Sequence, residues 1–114
     1  MKKMIISSFL LLSFNAFSNE AFSCFGTEPF WGLRVENNTL SFDNFDSIST
    51  SKIINAKNAE GTTDLFATVF TTENQDSLTI VRGECNDGMS DNLYSHHAVV
   101  KLKDRVLYGC CEIE

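Results

Sequence analysis

Apolar and polar residues alternate along short segments of this chain, a period of two that is typical of half-buried β-strands. Residues 30–36 place three apolar side chains on one face and charged ones on the other. Asn37-Asn38 follows, and Asn tolerates the positive φ that a two-residue hairpin turn requires. A turn there places Val35 opposite Leu40, so the apolar residues of both strands share one face. The pattern predicts a β-hairpin.

The rest of the chain continues in the same way, with segments rich in Val, Ile, Thr and Phe and no sustained helical period. Turns are predicted at 58–61 and 73–76, and the polar stretch 85–94 is predicted to be an ordered loop. Further strands are predicted at 52–56, 65–71, 77–82, 96–103 and 106–113. About seven sequential strands with short links indicate an all-β antiparallel meander that closes into a small barrel or a sandwich.

The N-terminal segment has the features of a signal peptide. Lys2 and Lys3 precede an apolar run at 4–12, and the small-x-small sequence at 16–18 predicts cleavage after Ser18. The run is too short to cross a bilayer as a helix. We therefore expect a signal peptide at 1–18, a single all-β domain at 19–114, and no stable membrane insertion after cleavage. The alternative is lipidation of Cys24, which would anchor the chain to a membrane.

Four cysteines in an exported chain predict two disulfide bonds. Cys110 and Cys111 are neighbours on a strand, so they point to opposite faces and do not pair with each other. Two arrangements remain: Cys24–Cys111 with Cys85–Cys110, or the exchanged pairs. The register of the last hairpin decides between them, and the sequence leaves it open. No Cys-x-x-Cys spacing is present to favour a redox or zinc site.

The charge of the chain is acidic, with nine basic and 15 acidic residues and a net charge of −6. Loss of Lys2 and Lys3 with the signal peptide would change the net charge to −8. Such a surface disfavours nucleic acid and favours a basic protein as the partner, if the charge does more than maintain solubility. We expect a monomer.

Four residues are candidates for binding. Trp31 could anchor a partner, although its place among inward-facing residues favours a core position. Asp87, Met89 and Asp91 lie in the polar stretch after Cys85, where the two carboxylates could also bind calcium. The acidic spacing of an EF-hand is absent, so side chains that cap their own loop are the favoured interpretation.

Evidence for catalysis is weak in this sequence. His96 and His97 are adjacent, so on a strand they face opposite ways and do not easily share a metal ion. No nucleophile elbow, phosphate loop or His-Glu-x-x-His motif is present. The sequence predicts a protein that is not an enzyme and needs no cofactor or metal.

Three sequence blocks carry a resemblance to a known family. Gly26-Thr27-Glu28-Pro29-Phe30-Trp31, the stretch Cys85-Asn86-Asp87-Gly88-Met89-Ser90-Asp91, and Gly109-Cys110-Cys111 resemble a family of small bacterial cell-envelope proteins that are exported or lipid-anchored and largely uncharacterised. The resemblance covers nearly all of the chain after residue 18. It implies a bacterial periplasmic β-domain and supplies no activity.

The chain is also similar, more loosely, to the membrane-bound lysozyme inhibitors, which are small disulfide-bonded β-barrels. Their Ser-Gly-x-x-Tyr-type inhibitory loop has no match in this sequence. We therefore expect a periplasmic or secreted binding or envelope-maintenance module. The alternatives are an inhibitor of a basic hydrolase such as c-type lysozyme, and a metal-dependent enzyme that uses Asp87 and Asp91.

Overall fold

The computed structural model describes residues 21–61, 67–89 and 91–113, and these residues form a closed antiparallel β-barrel. Each strand pairs with the next along the chain, and the last strand pairs with the first. The strands are β1 (Phe22–Thr27), β2 (Phe30–Glu36), β3 (Thr39–Asp43), β4 (Ile48–Asn58), β5 (Ala67–Thr72), β6 (Ser77–Asn86), β7 (Leu93–Lys101) and β8 (Val106–Ile113). The predicted all-β meander is confirmed, and it is a barrel. The predicted signal segment 1–18, the first two residues of the predicted strand 65–71, and Ser90 lie outside the described residues.

The hairpin between β2 and β3 forms as its sequence predicts. Asn37 and Asn38 both adopt positive φ, 54° and 62°, which matches the twist of the strands that they join. Val35 lies opposite Leu40, and both are buried.

The interior of the barrel is filled by side chains from all eight strands, as expected for a barrel with this number of strands. The rings of Trp31 and Phe42 stack with their centroids 6.1 Å apart. The centroids of the Phe22 and Phe70 rings are 5.4 Å apart. The buried apolar cluster consists of Phe22, Cys24, Trp31, Leu33, Val35, Leu40, Phe42, Phe70, Leu78, Ile80, Ala98, Val100, Leu107 and Cys111.

Two predictions about strand positions were wrong. The segment Phe22–Thr27 was not predicted as a strand, yet it forms β1 and closes the barrel. Residues 85–94 were predicted as a loop, but β6 continues to Asn86 and β7 begins at Leu93. Of the described residues in this stretch, only 87–89, 91 and 92 lie outside the strands.

Both predicted disulfides are present, and none of the cysteines is free. Cys24 of β1 bonds to Cys111 of β8, directly across the strand pair that closes the barrel. Cys85 bonds to Cys110. The structure thus has the first of the two arrangements that the sequence left open.

The disulfides indicate that this protein folds in an oxidising, extracytoplasmic environment. Within the part of the chain that the structure describes, no helix has the length and apolar character needed to cross a membrane.

Candidate functional site

The barrel is incompletely paired where its first and last strands meet. The pairing of β1 with β8 runs from Phe22 opposite Ile113 to Phe25 opposite Cys110 and stops there. Beyond that point the end of β1 and the beginning of β8 border a cleft of about 380 Å³. We call it the seam cleft, and it is lined by Phe25, Gly26, Thr27, Glu28, Pro29, Asn86, Asp87, Val106, Leu107, Tyr108, Gly109 and Cys110.

Trp31 fills the barrel interior beneath the seam cleft. A Cβ atom added at Gly26 would lie 2.6 Å from Trp31 Cε2, and one added at Gly109 would lie 2.8 Å from Trp31 Cζ2. Both distances are shorter than real Cβ contacts allow, so the indole ring needs a glycine on each of the two strands that flank it. The pair of glycines lets a large aromatic side chain close the gap in the barrel from inside.

The end of the β6–β7 hairpin folds over the outside of this gap. We call this segment the arm (residues 85–89 and 91–94). The pairing of β6 with β7 is irregular between Arg82 and Cys85, and such bulges bend a strand. The Cys85–Cys110 disulfide joins the arm to β8, although β7 lies between β6 and β8 in the barrel.

Two contacts then join the arm to β1. The hydroxyl of Thr27 donates a hydrogen bond of 3.1 Å to the carbonyl of Asp87. The ring of Tyr94 meets the ring of Phe25 edge to face, with centroids 4.7 Å apart. The arm therefore bridges the seam from β8 to β1.

All three sequence blocks meet at the seam cleft. The first block supplies Gly26 to Pro29, the second supplies Asn86 and Asp87, and the third supplies Gly109 and Cys110. The first and second blocks are separated by 53 residues of sequence, and the second and third by 17. Each block thus contributes at least two residues to the lining, and the first block also contains Trp31, which lies beneath the cleft.

The lining of the cleft combines apolar and acidic groups. Glu28 and Asp87 are the acidic residues of the lining, and no Lys, Arg or His is present among the described lining residues. Phe25, Pro29, Val106 and Leu107 provide apolar walls. Tyr108 is held in place through its hydroxyl, which hydrogen-bonds His97 Nδ1. The site can accept a cationic group that carries an apolar stem, such as the side chain of arginine or lysine.

The structure separates the four candidate binding residues. Trp31 is only 2% exposed, inside the barrel, as the core interpretation predicts. Asp87 lines the cleft, whereas Met89 and Asp91 are exposed and are not part of its lining. The loop caps itself as predicted, because Asn86 Oδ1 accepts from the Gly88 N–H (2.6 Å) and Asp87 Oδ1 accepts from the Met89 N–H (2.9 Å).

The two histidines face opposite ways, as predicted. His96 is buried and its Nδ1 lies 2.7 Å from the Ser95 hydroxyl, whereas His97 lies on the outer side beside Tyr108. Burial lowers the pKa of His96 below 6.5, and the charge of Arg82 on the adjacent strand lowers it further. Among the described residues, no group of three or more His, Cys, Asp or Glu side chains could hold a metal ion. The metal-dependent alternative stays a prediction.

Sequence reasoning missed Thr27, Glu28 and Tyr108 as parts of the site. Thr27 and Glu28 belong to the first block, where Trp31 drew attention as the largest residue. The Cys85–Cys110 pairing is the signal that could have found the site, because it places the second block beside the third.

Comparison of the chain with models of protein families, with curated proteins and with solved structures found no match.

Proposed function

We propose that this protein is a non-catalytic binding module of the bacterial cell envelope that binds a basic partner protein at the seam cleft. The observation that carries the proposal is the convergence of three distant sequence blocks on one cleft with two carboxylates. A volume of about 380 Å³ lies within the usual range for ligand sites, and apolar walls with a few polar groups are typical of them.

The electrostatics support a basic partner. Glu28 and Asp87 lie at the cleft, and the chain as a whole is acidic. Complementary charge speeds the encounter of two proteins and disfavours partners of the same sign. A lysine or arginine side chain that enters the cleft would place its stem on the apolar walls and its charge near the carboxylates.

We further propose that the protein is periplasmic and soluble rather than lipid-anchored through Cys24. A lipidated Cys24 carries its lipid on Sγ, and that atom forms the disulfide with Cys111. The resemblance to exported bacterial envelope proteins supports the periplasm as the compartment.

In-cell photocrosslinking tests the binding site. p-Benzoylphenylalanine would replace Val106, which lines the cleft and is 62% exposed, or Ile54, a control position on β4 that is 64% exposed. We expect position 106 to form a crosslink to a basic protein in the periplasm, and position 54 to form none. Glu28→Gln combined with Asp87→Asn should weaken this crosslink.

The identified protein must then bind the purified module directly in a calorimetric titration. Equal crosslinking at positions 106 and 54, or none at 106, would contradict the cleft as the site. A crosslinked partner that is acidic would contradict the charge argument.

An inhibitor of a basic hydrolase such as c-type lysozyme is the second candidate. The acidic lining of the cleft favours it, because a cationic side chain of the hydrolase could enter. Stoichiometric amounts of the protein should then slow the lysis of bacterial cell walls by c-type lysozyme at low salt. Full lysozyme activity under these conditions would exclude this function and leave the binding module as the proposal.

A further inference from the structure

A group of exposed apolar side chains lies beside the seam cleft. It consists of Phe30 and Phe45, and we call it the aromatic surface. Phe30 and Phe45 are 55% and 67% exposed, and their rings meet edge to face with centroids 6.4 Å apart. In the sequence Phe30 directly follows Pro29, which lines the cleft.

The backbone at Phe45 is unfavourable for this residue. Its φ is 72°, in the left-handed region that glycine and asparagine adopt more readily than a bulky aromatic residue. Because more than half of the ring is exposed, burial does not explain a phenylalanine here. Residues held in sparsely populated backbone conformations are concentrated at functional sites.

The turn that carries Phe45 is held by its polar side chains. Asp43 Oδ1 accepts from the Phe45 N–H at 2.7 Å, and Asn44 Oδ1 accepts from the N–H groups of Asp46 and Ser47 at 2.9 Å. The exposed ring of Phe45 therefore projects from a loop whose conformation is held by hydrogen bonds.

The surroundings of the aromatic surface are acidic. Residues 26–33 and 39–51 contain Glu28, Asp43 and Asp46 and no lysine or arginine. The next basic residue along β2, Arg34, forms a salt bridge of 3.2 Å with Glu36. Aromatic faces beside carboxylates are complementary to the guanidinium of arginine, which stacks on rings and pairs with carboxylates.

We propose that the aromatic surface is a docking surface for an arginine-bearing face of a basic protein. The inference rests on the proposed binding function and adds the chemistry by which the partner is recognised. A second copy of this chain is a poorer occupant, because it would bring the same acidic residues against each other. Arginine rather than lysine is expected, because its planar group stacks on exposed rings and is weakly hydrated.

Calorimetric titration of the processed, disulfide-bonded protein with a nona-arginine peptide at low salt tests this inference, with nona-lysine as the probe of equal charge. Phe45→Asn should retain the fold, because asparagine tolerates the backbone at this position. It should weaken nona-arginine binding by about two- to fivefold, the range of one exposed cation–π contact. Phe30→Ser should have a similar effect.

Ile54→Ser is the matched control, because Ile54 is 64% exposed on β4 and lies outside the aromatic surface. It should leave the affinity unchanged, and nona-lysine should bind more weakly than nona-arginine. Equal affinity for the two peptides, or equal affinity of Phe45→Asn and the unaltered protein, would overturn the inference. A dimer that Phe45→Asn abolishes would identify a second copy as the occupant and also overturn it.

The two proposals can fail separately. A crosslink at position 106 together with an unaffected Phe45→Asn titration would retain the seam cleft and remove the aromatic surface. An absent crosslink at position 106 together with an arginine preference that depends on Phe45 would contradict the cleft as the site and retain the aromatic surface.

Discussion

Trp31 and Phe30 are neighbours on β2, yet one lies inside the barrel and the other on its surface. Trp31 stacks on Phe42 and needs two glycines beside it, whereas Phe30 contacts Phe45 in an exposed pair. The same alternation separates buried His96 from His97. One sequence block therefore serves stability through its inner face and, by our proposal, recognition through its outer face. Substitutions on the two faces should have separable effects.

The largest contrast is expected between Trp31→Ala and Phe30→Ala. Trp31→Ala should lower the free energy of unfolding by about 3–5 kcal/mol, as truncation of a buried aromatic residue does. Phe30→Ala should cost less than about 1.5 kcal/mol, the value of an edge-to-face aromatic pair. Urea unfolding followed by far-UV circular dichroism measures both. Similar losses of stability for the two variants would contradict the distinction between a stabilising inner face and an outer face of β2.

Removal of the Cys85–Cys110 disulfide tests the arm. The double variant Cys85→Ser with Cys110→Ser should lose about 2–5 kcal/mol of stability. Amide hydrogen exchange should increase in the arm more than in β2 and β3, because the arm loses its covalent link to β8. Unchanged exchange in the arm would show that Thr27 and Phe25 hold it without the disulfide.

The next contrast is between two glycines, one packed against the buried Trp31 and one with open space beside it. Gly109→Ala should destabilise by about 1–3 kcal/mol, because the added methyl group meets Trp31 and the backbone of Phe25. Gly32→Ala should stay within about 0.5 kcal/mol, since a Cβ there meets no heavy atom within 4 Å. Thermal unfolding is sufficient for both. A tolerated Gly109→Ala would mean that both Trp31 and the backbone of Phe25 can move.

The smallest effect is expected from pH. The pKa of His96 is lowered in the folded state, so the unfolded chain takes up this proton at a higher pH than the folded protein does. Stability should therefore fall as the pH drops below about 6.5, the unfolded value. Urea unfolding at pH 7.5 and 5.5 should show a larger decrease for the unaltered protein than for His96→Gln. Equal decreases in the unaltered protein and in His96→Gln would show that His96 is not the source of the pH dependence. His97→Gln is the control for removal of a histidine.

The sequence predicted the parts of the fold in which local signals agree. The Asn37-Asn38 turn and the apolar alternation on either side of it require the same pairing, and the structure has it. The period of two predicted that Cys110 and Cys111 face opposite ways, but it left open which of them faces inward. In the structure the last hairpin closes at Lys103-Asp104, where the Leu102 N–H donates to the Arg105 carbonyl (2.8 Å), and this register places Cys111 in the core.

The parts that the sequence did not predict depend on distant contacts. β1 contains Gly26, which usually weakens a strand, and here it makes room for Trp31. The last residues of β6, near Cys85, and the first residues of β7, near Tyr94, pack on the outside of the barrel rather than in its core. They therefore lack the apolar alternation that is expected of a strand covering the core. The seam cleft depends on the bulge near Cys85 and on one of two possible disulfide pairings. Neither can be read from local sequence.

A closed barrel leaves few strand edges to which another chain could add a strand, and this protects it from aggregation. Among the described residues, positions 106–109 of β8 have no strand partner on the β1 side, so a short edge remains at the seam. The arm crosses this edge from outside. The arm therefore also prevents a strand of another molecule from pairing with this edge. A chain that loses the Cys85–Cys110 link would offer a neighbour an edge containing Val106, Leu107 and Tyr108, and would aggregate while most of the barrel is still folded.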